Sequence, residues 1–440
     1  MRNFASPLFL TFLLLGQTGM ALAADKEKTL IVDSRGFPGD RKEDEMYSAL
    51  YAAEEGTVYV GLCMEGGTAQ FYSYDPRADQ MRHLADMGEF LGQRGKGIRA
   101  AGKIHTKLVE DRQGRIYFAT MNEDAGPDNI DPYSWEGPNW VRYDPKTGQL
   151  ENLGSINPLW GLYGLTIDRN RNRLFGTAWN GHLYRFDIDT RKTVDLGRVD
   201  NWDDPRSIAT DDQGNVYGPA CMSRVWKYDA GSEKVYDLSS VRTPRDPMSY
   251  PTSLTNPMLD RKDSWRVVQW DPVDRVIYGV ECGSSFLFRY DPHDGPEGKV
   301  TLLSKVCAER YYASGRKDIP YSMLSFTIGK DRKLYYAPVG MDFDYSARFE
   351  EAKKQARGAV NTRPSSELIV YDLKSATPTN LGTLMTRDGN HVYGCGGATA
   401  GTDGTIYLCC AVEEKDPQKA AGVVGGSYPF VMKILIYKPS

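Results

Sequence analysis

The chain has 440 residues, 40% of them hydrophobic and 25% charged, with 44 Gly and 24 Pro, a turn-rich composition with enough apolar material for a large core. Its 54 Lys and Arg stand against 58 Asp and Glu, which excludes the broad basic footprint of a nucleic-acid-binding surface. After the first two dozen residues no apolar run is long enough to cross a bilayer as a helix.

The N-terminus reads as a secretory signal over residues 1–23. Arg2 is the charged start, 7–15 the apolar run, and Ala21-Leu-Ala23 a small-x-small cleavage site. The mature chain would begin at Ala24 and be periplasmic or secreted. Without Arg2, Lys and Arg fall to 53 against 58 Asp and Glu, a net charge of about −5.

A repeat then runs to the C-terminus. An aromatic–Asp step closes a strand at Tyr74-Asp75, Tyr143-Asp144, Phe186-Asp187, Tyr228-Asp229, Tyr290-Asp291 and Tyr371-Asp372, with a degenerate copy at Tyr437. Each is preceded by a hairpin whose second strand carries an aromatic: Tyr59, Tyr117, Phe175, Tyr217, Tyr278, Tyr335 and Tyr407. Four short strands per unit, seven units and almost no helical periodicity predict an all-β fold, a seven-bladed β-propeller forming one domain over 24–440. The chain ends on a third-strand pattern. The leftover segment 29–33 is expected to supply the missing outer strand and close the ring. Insertions lengthen three units: a Gly/Arg/Lys-rich loop over 85–103, a Pro-rich loop over 238–264, and 340–366 with a short helix expected at 346–357.

One hairpin frames the functional question. Gly102-Lys-Ile-His-Thr106 opens a strand over 104–109, Asp111-Arg-Gln-Gly114 is its turn, and 115–120 is the returning strand. Aligning the hairpins gives two rings near strand ends, where propellers line their funnel. One holds Cys63, Met121, Trp179, Cys221, Cys282, Val339 and Ala411. The other holds Thr106, Tyr163, Arg206 and Arg266, with His105 one place earlier than Thr106. The competing use of such residues is to hydrogen-bond loops of adjacent blades.

An imidazole can take a proton near neutral pH, a phenol can give one to a leaving oxygen, and a guanidinium can neutralise a carboxylate. His105, Tyr163 and Arg206 in those roles fit β-elimination on a uronic-acid polysaccharide. Arg94, Lys96, Arg99 and Lys103 would supply positive charge for an acidic glycan, with Met121, Trp179 and Arg266 as further contacts. Trp160, Tyr163 and Trp179 are candidate sugar-stacking rings or packing between blades.

The stretch Gly102-Lys-Ile-His-Thr106, with a hairpin ending Ile116-Tyr-Phe-Ala-Thr120, resembles secreted propeller polysaccharide lyases of the ulvan lyase type. The resemblance implies a His base, a Tyr acid and a uronate-neutralising Arg. His105 matches the first and Tyr163 the second. It also implies a second His where this chain has Met121, and an Arg near Trp179. A non-catalytic propeller that binds a glycan or protein through the same face is the alternative, and a lactonase- or quinone-type propeller enzyme the third reading, the lactonases needing a carboxylate-bound cation in the funnel.

His83, His182, His293 and His391 read as surface or hydrogen-bonded residues. Seven Cys is an odd count without a CxxC framework. Cys221 and Cys282 occupy equivalent positions, open to a disulfide, a shared structural metal or free thiols. The oxygen-rich run from Asn122 to Asn129 suits a turn or a hard cation. No cofactor is implied and no metal ligand set is specific enough to assign.

Overall fold

The computed structural model describes residues 28–64, 66–122, 134–156, 161–199, 207–220, 224–243, 265–281, 285–308, 318–321, 323–342, 363–424 and 428–439. Among these, all six aromatic–Asp steps end the third strand of their unit: Gln70–Asp75, Asn139–Asp144, His182–Asp187, Arg224–Asp229, Phe286–Asp291 and Ser365–Asp372. The cause is local. Asp75 turns back to accept the backbone N–H of Arg77 (2.9 Å) and Ala78 (3.2 Å), and Asp372 those of Lys374 (2.8 Å) and Ser375 (2.9 Å). The chain re-enters the sheet through a left-handed residue four places after the Asp, as at Asp79, Gly148, Arg191, Glu233 and Ala376.

The second-strand aromatics have a matching role. The hydroxyls of Tyr59, Tyr117, Tyr217, Tyr278 and Tyr335 donate to a carboxylate in the turn before them: Glu55 (2.9 Å), Asp111 (3.0 Å), Asp211 (3.2 Å), Asp274 (2.8 Å) and Asp331 (2.6 Å). A buried phenol needs a partner, and the hairpin turn supplies one in each of these units.

The result is all-β and propeller-like. Five sheets of four antiparallel strands follow in order. The first blade is Leu50–Ala52, Val58–Leu62, Gln70–Asp75 and Gln80–Asp86. The second is Val109–Glu110, Ile116–Ala119, Asn139–Asp144 and Gln149–Ser155. The third is Leu162–Asp168, Arg173–Ala178, His182–Asp187 and Lys192–Arg198. The fourth runs from Ala209–Thr210 to Lys234–Arg242 and the fifth from Trp265–Asp271 to Lys299–Lys305.

Beyond them lies one eleven-stranded sheet where the sequence predicts two more separate blades. The merger has a clear cause in the N-terminal strand Thr29–Gly36, longer than the expected 29–33. Thr29 to Val32 run parallel to Thr383 to Thr386, while Asp33 to Gly36 run antiparallel to Lys433 to Ile436. The strand does join the C-terminal strand Tyr428–Tyr437, as expected of a ring closure, but it also bonds to the preceding meander and fuses the two.

Apolar clusters fill the spaces between sheets. Phe71 and Phe118 join the first and second blades, Trp140 and Phe186 the second and third, Phe175 and Trp226 the third and fourth, and Tyr217 and Phe288 the fourth and fifth. Val267 and Tyr336 tie the fifth blade to the large sheet, Val370 and Leu408 pack its two halves together, and Tyr72 with Cys409 returns it to the first blade. The array therefore closes on itself.

The loop over 85–103 holds a short helix, Met87–Phe90, capped by the Asp86 carboxylate on the Glu89 N–H (3.0 Å). A disulfide joins Cys395 and Cys410 on neighbouring strands, and Cys409 is a buried free thiol. The signal segment, the Pro-rich loop from 244, the helix at 346–357, Cys221, Cys282, Trp160 and Arg206 lie outside the described residues.

Candidate functional site

The hairpin around His105 is shorter than its sequence pattern. Its ladder is Val109–Glu110 against Ile116–Ala119, not 104–109 against 115–120. Thr106 explains the break: its hydroxyl accepts the Ala119 N–H (3.0 Å), taking the place of a backbone carbonyl. Pairing resumes above it, where Lys103 and Met121 exchange N–H···O bonds of 3.1 and 2.9 Å.

That resumed pairing sets a register the sequence alignment missed by one residue. Glu45 bridges Cys63 as Lys103 bridges Met121, and the Trp179 N–H donates to Gly161 (3.3 Å). Two places after each lie Tyr47, His105 and Tyr163, so His105, and not Thr106, is the equivalent of Tyr163. In the fifth blade Trp265 pairs with Glu281 as Leu162 pairs with Ala178, which puts Arg266 at the same position as Tyr163. Gly161 (φ 131°) must be Gly, because a Cβ there would lie 2.5 Å from the Met121 side chain.

The ring brings side chains together. Tyr47 stacks on His105 with centroids 4.4 Å apart and planes at 14°; Tyr163 meets the other side edge-on at 4.6 Å and 85°. Trp179 continues the series, 5.2 Å from Tyr163. The inner members are sealed, His105 being 3% and Tyr163 2% exposed, whereas Trp179 is 48% exposed. Lys103 is buried beside them, its ammonium 5.6 Å from the Tyr47 ring centre and 3.9 Å from the Glu45 carboxylate.

Lys107, two residues past His105, reaches across the centre of the array and donates to the Val268 carbonyl (2.5 Å), two residues past Arg266. The second and fifth blades therefore face each other, with His105 and Arg266 on opposite walls. Burial pulls the Lys107 ammonium down to about 8.

The remaining predicted contacts divide. Met121 is buried between Lys103 and Gly161 as part of the framework. Arg94 is exposed but held by Asp86 (2.5 Å) and Glu89 (3.0 Å). Lys96 is exposed and Arg99 half-buried at the loop's end. Val339 and Ala411 line a separate cavity of about 410 Å³ whose wall also includes Tyr47. His182 bonds to Asp195 (3.0 Å) and His83 to Gln70 (2.8 Å). Among the described residues there is no cluster of three or more His, Cys, Asp or Glu placed to hold a metal.

Sequence reasoning passed over Tyr47 and Glu45. The signal was present: Tyr47, His105 and Tyr163 each precede Cys63, Met121 and Trp179 by the same interval. It also passed over a network at the other end of the channel. There the buried Glu110 accepts from Tyr51 (3.0 Å) and the Glu54 N–H (3.1 Å), while Arg169 donates to the Glu110 carbonyl (2.6 Å) and to Glu54 (2.7 Å). Burial raises the Glu110 carboxyl above its ordinary value.

No family model and no curated protein matches the chain. Among solved structures it is similar to a chain of a mitotic checkpoint complex, at 10% identity and a TM-score of 0.48, covering 92% of this chain and 95% of that one. It is similar also to a chain of a nidogen/laminin complex, at 14% identity and 0.43, covering 78% and 98%. No helix among the described residues is long and apolar enough to cross a membrane.

Proposed function

We propose that the protein is an exported seven-bladed propeller, its large sheet counting as two blades fused by the N-terminal strand, whose mouth engages an acidic, uronate-bearing polysaccharide. The observation that carries this is the shared ring position of His105, Tyr163 and Arg266: an imidazole, a phenol and a guanidinium from three blades at one strand level. In β-elimination His105 takes the proton on the carbon next to the uronate carboxylate. The electron pair forms the new carbon–carbon double bond, the bond to the glycosidic oxygen breaks, and Tyr163 protonates that oxygen. Arg266 neutralises the carboxylate as charge builds on it, alongside Arg206, for which the same role is expected.

A second reading, a propeller that binds the glycan without cleaving it, is favoured by exposure. His105 and Tyr163 are sealed at 3% and 2%, while Trp179 presents an open ring face suited to stacking on a sugar. Met121, at the position where the lyase resemblance implies a second His, belongs to that reading too.

One experiment separates them. Incubation with a panel of uronate polysaccharides is followed by ultraviolet absorbance of the unsaturated product, alongside binding to the same panel. Product formation that His105→Ala abolishes supports cleavage. Binding without product supports the second reading, and neither product nor binding ends both.

A further inference from the structure

The strand Val392–Ala400 of the large sheet opens with the register of the third blade. Val392 pairs with Val412 and Gly394 with Ala411 across a bulge, as Leu162 pairs with Ala178 and Gly164 with Thr177. The Glu413 N–H donates to the His391 carbonyl (2.8 Å), as the Trp179 N–H does to that of Gly161 (3.3 Å). Tyr393 therefore holds the mouth position that Tyr163 holds in its own blade, and Glu413 that of Trp179.

Tyr393 is 2% exposed and belongs to the wall of the cavity that also reaches Tyr47. The Arg363 guanidinium lies over its ring, 5.9 Å from the centre. Burial raises the Tyr393 hydroxyl above its ordinary value, and a hydrogen bond from Arg363 to the phenol oxygen draws it part-way back. The oxygen is thus approached by a donor, while the O–H itself reaches no acceptor. Glu413 is engaged on both oxygens, one accepting from Arg363 and the other from the His391 N–H (3.2 Å). The acidic residues of the cavity wall, Asp44 and Glu45, are engaged as well, Glu45 with Lys103 (3.9 Å). The Arg363 side chain is 39% exposed, and its guanidinium carries more N–H groups than Glu413 and Tyr393 occupy. Donors without an acceptor therefore converge here: a buried phenol O–H and the remaining N–H groups of a guanidinium. A buried O–H left without an acceptor costs stability, and a ligand oxygen removes that cost.

We propose that Tyr393 and Arg363 form a carboxylate-binding subsite at the mouth, which takes a further uronate of the glycan beside the one held by His105, Tyr163 and Arg266. One carboxylate oxygen accepts the Tyr393 O–H and the other an Arg363 N–H. A uronate as the carrier of that carboxylate rests on the function proposed above; the donor pair itself calls only for the carboxylate.

The test is a nuclear magnetic resonance titration of the full chain, labelled in its tyrosine rings, with methyl glucuronoside and with methyl glucoside, which has a hydroxymethyl group in place of the carboxylate. The Tyr393 signal is the one missing from Tyr393→Phe, a variant that keeps the ring against Tyr428 (5.9 Å) and loses only the hydroxyl. The Tyr393 signal should shift saturably with the glucuronoside, at least about ten-fold more tightly than with the glucoside. Arg363→Gln should weaken that response at least about ten-fold, and the parental titration decides the matter alone should this variant fail to fold. A Tyr393 signal that does not move with the glucuronoside, that moves equally with the glucoside, or that responds unchanged in a folded Arg363→Gln would each overturn the proposal. A shift of Tyr163 without one of Tyr393 would overturn the subsite and leave the function proposed above standing. A saturable, Arg363-dependent shift of Tyr393 in a protein that neither binds nor cleaves any uronate polysaccharide would support the subsite and end that function.

Discussion

The two ends of the channel use polar residues in opposite ways. At the turn end the pattern repeats blade by blade: a carboxylate receives backbone N–H groups and a tyrosine hydroxyl in one unit after another, as at Asp111 and Asp211. At the mouth the shared position varies among the described residues: a tyrosine at Tyr47 and Tyr163, an imidazole at His105 and a guanidinium at Arg266. A residue that recurs with the blade period solves a folding problem every blade has. A residue that changes at a fixed structural position is released from that problem, and there function collects.

The sharpest way to break this contrast is at the turn end. Asp211 is buried and accepts from the Gln213 N–H (2.9 Å), the Asn215 N–H (2.8 Å), the Asn215 side-chain amide (2.8 Å) and the Tyr217 hydroxyl (3.2 Å). Asp211→Ala strands all four donors and should cost about 3 kcal/mol, read as a lower urea midpoint. Tyr217→Phe removes one of them and should cost about 1 kcal/mol. If Asp211→Ala unfolds at the parental midpoint, the repeated latch is not what holds these hairpins.

At the mouth the expectation reverses. Trp179 is half-exposed and stacks on the buried Tyr163 from the solvent side, and at such a half-exposed position Trp179→Ala should change stability by no more than about 1 kcal/mol. Binding of a uronate oligosaccharide should fall about ten-fold, the contribution of one aromatic platform. A variant that loses stability but keeps the glycan would place Trp179 with the framework.

The same contrast explains which parts were legible in the sequence. The aromatic–Asp step could be read because one local event, a carboxylate capping its own turn, accompanies it at Asp75, Asp144, Asp229, Asp291 and Asp372, while Asp187 pairs with Arg173 and Arg185. The ring closure was legible in outline, since a chain ending on a third strand needs a fourth. The division of Thr29–Gly36 between two partners was not, because it depends on strands more than 350 residues away being side by side. The mouth was half legible. His105 and Tyr163 stood out as unexpected residues at strand ends, but Thr106 replaces a ladder carbonyl with its hydroxyl and shifted the alignment by one. Tyr47 was passed over because it precedes the first blade, where no earlier repeat frames it, and Arg94 looked free because its partners Asp86 and Glu89 sit in the same loop.

Lys107 stands between the two ends and gives the finest test. It lines the channel, partly open to it, with its ammonium on a single backbone carbonyl, and burial alone lowers it from the ordinary lysine value to about 8. The sign follows from which state holds the proton. Between about pH 8 and 10.5 the unfolded chain keeps a proton that the folded chain has released, so this group makes stability rise with pH across that window. Below about pH 8 both states are protonated and the full desolvation penalty is present. Lys107→Met keeps the stem's packing and removes the charge. At pH 7 it should match or exceed the parent, by up to about 1 kcal/mol, because a desolvated cation without a carboxylate is replaced by an apolar group of similar length. The difference between variant and parent, followed by urea unfolding from pH 7 to 10, should shrink as pH rises. A variant destabilised by the same amount throughout would instead make Lys107 a cross-channel tie holding the second blade to the fifth, one more part of the framework.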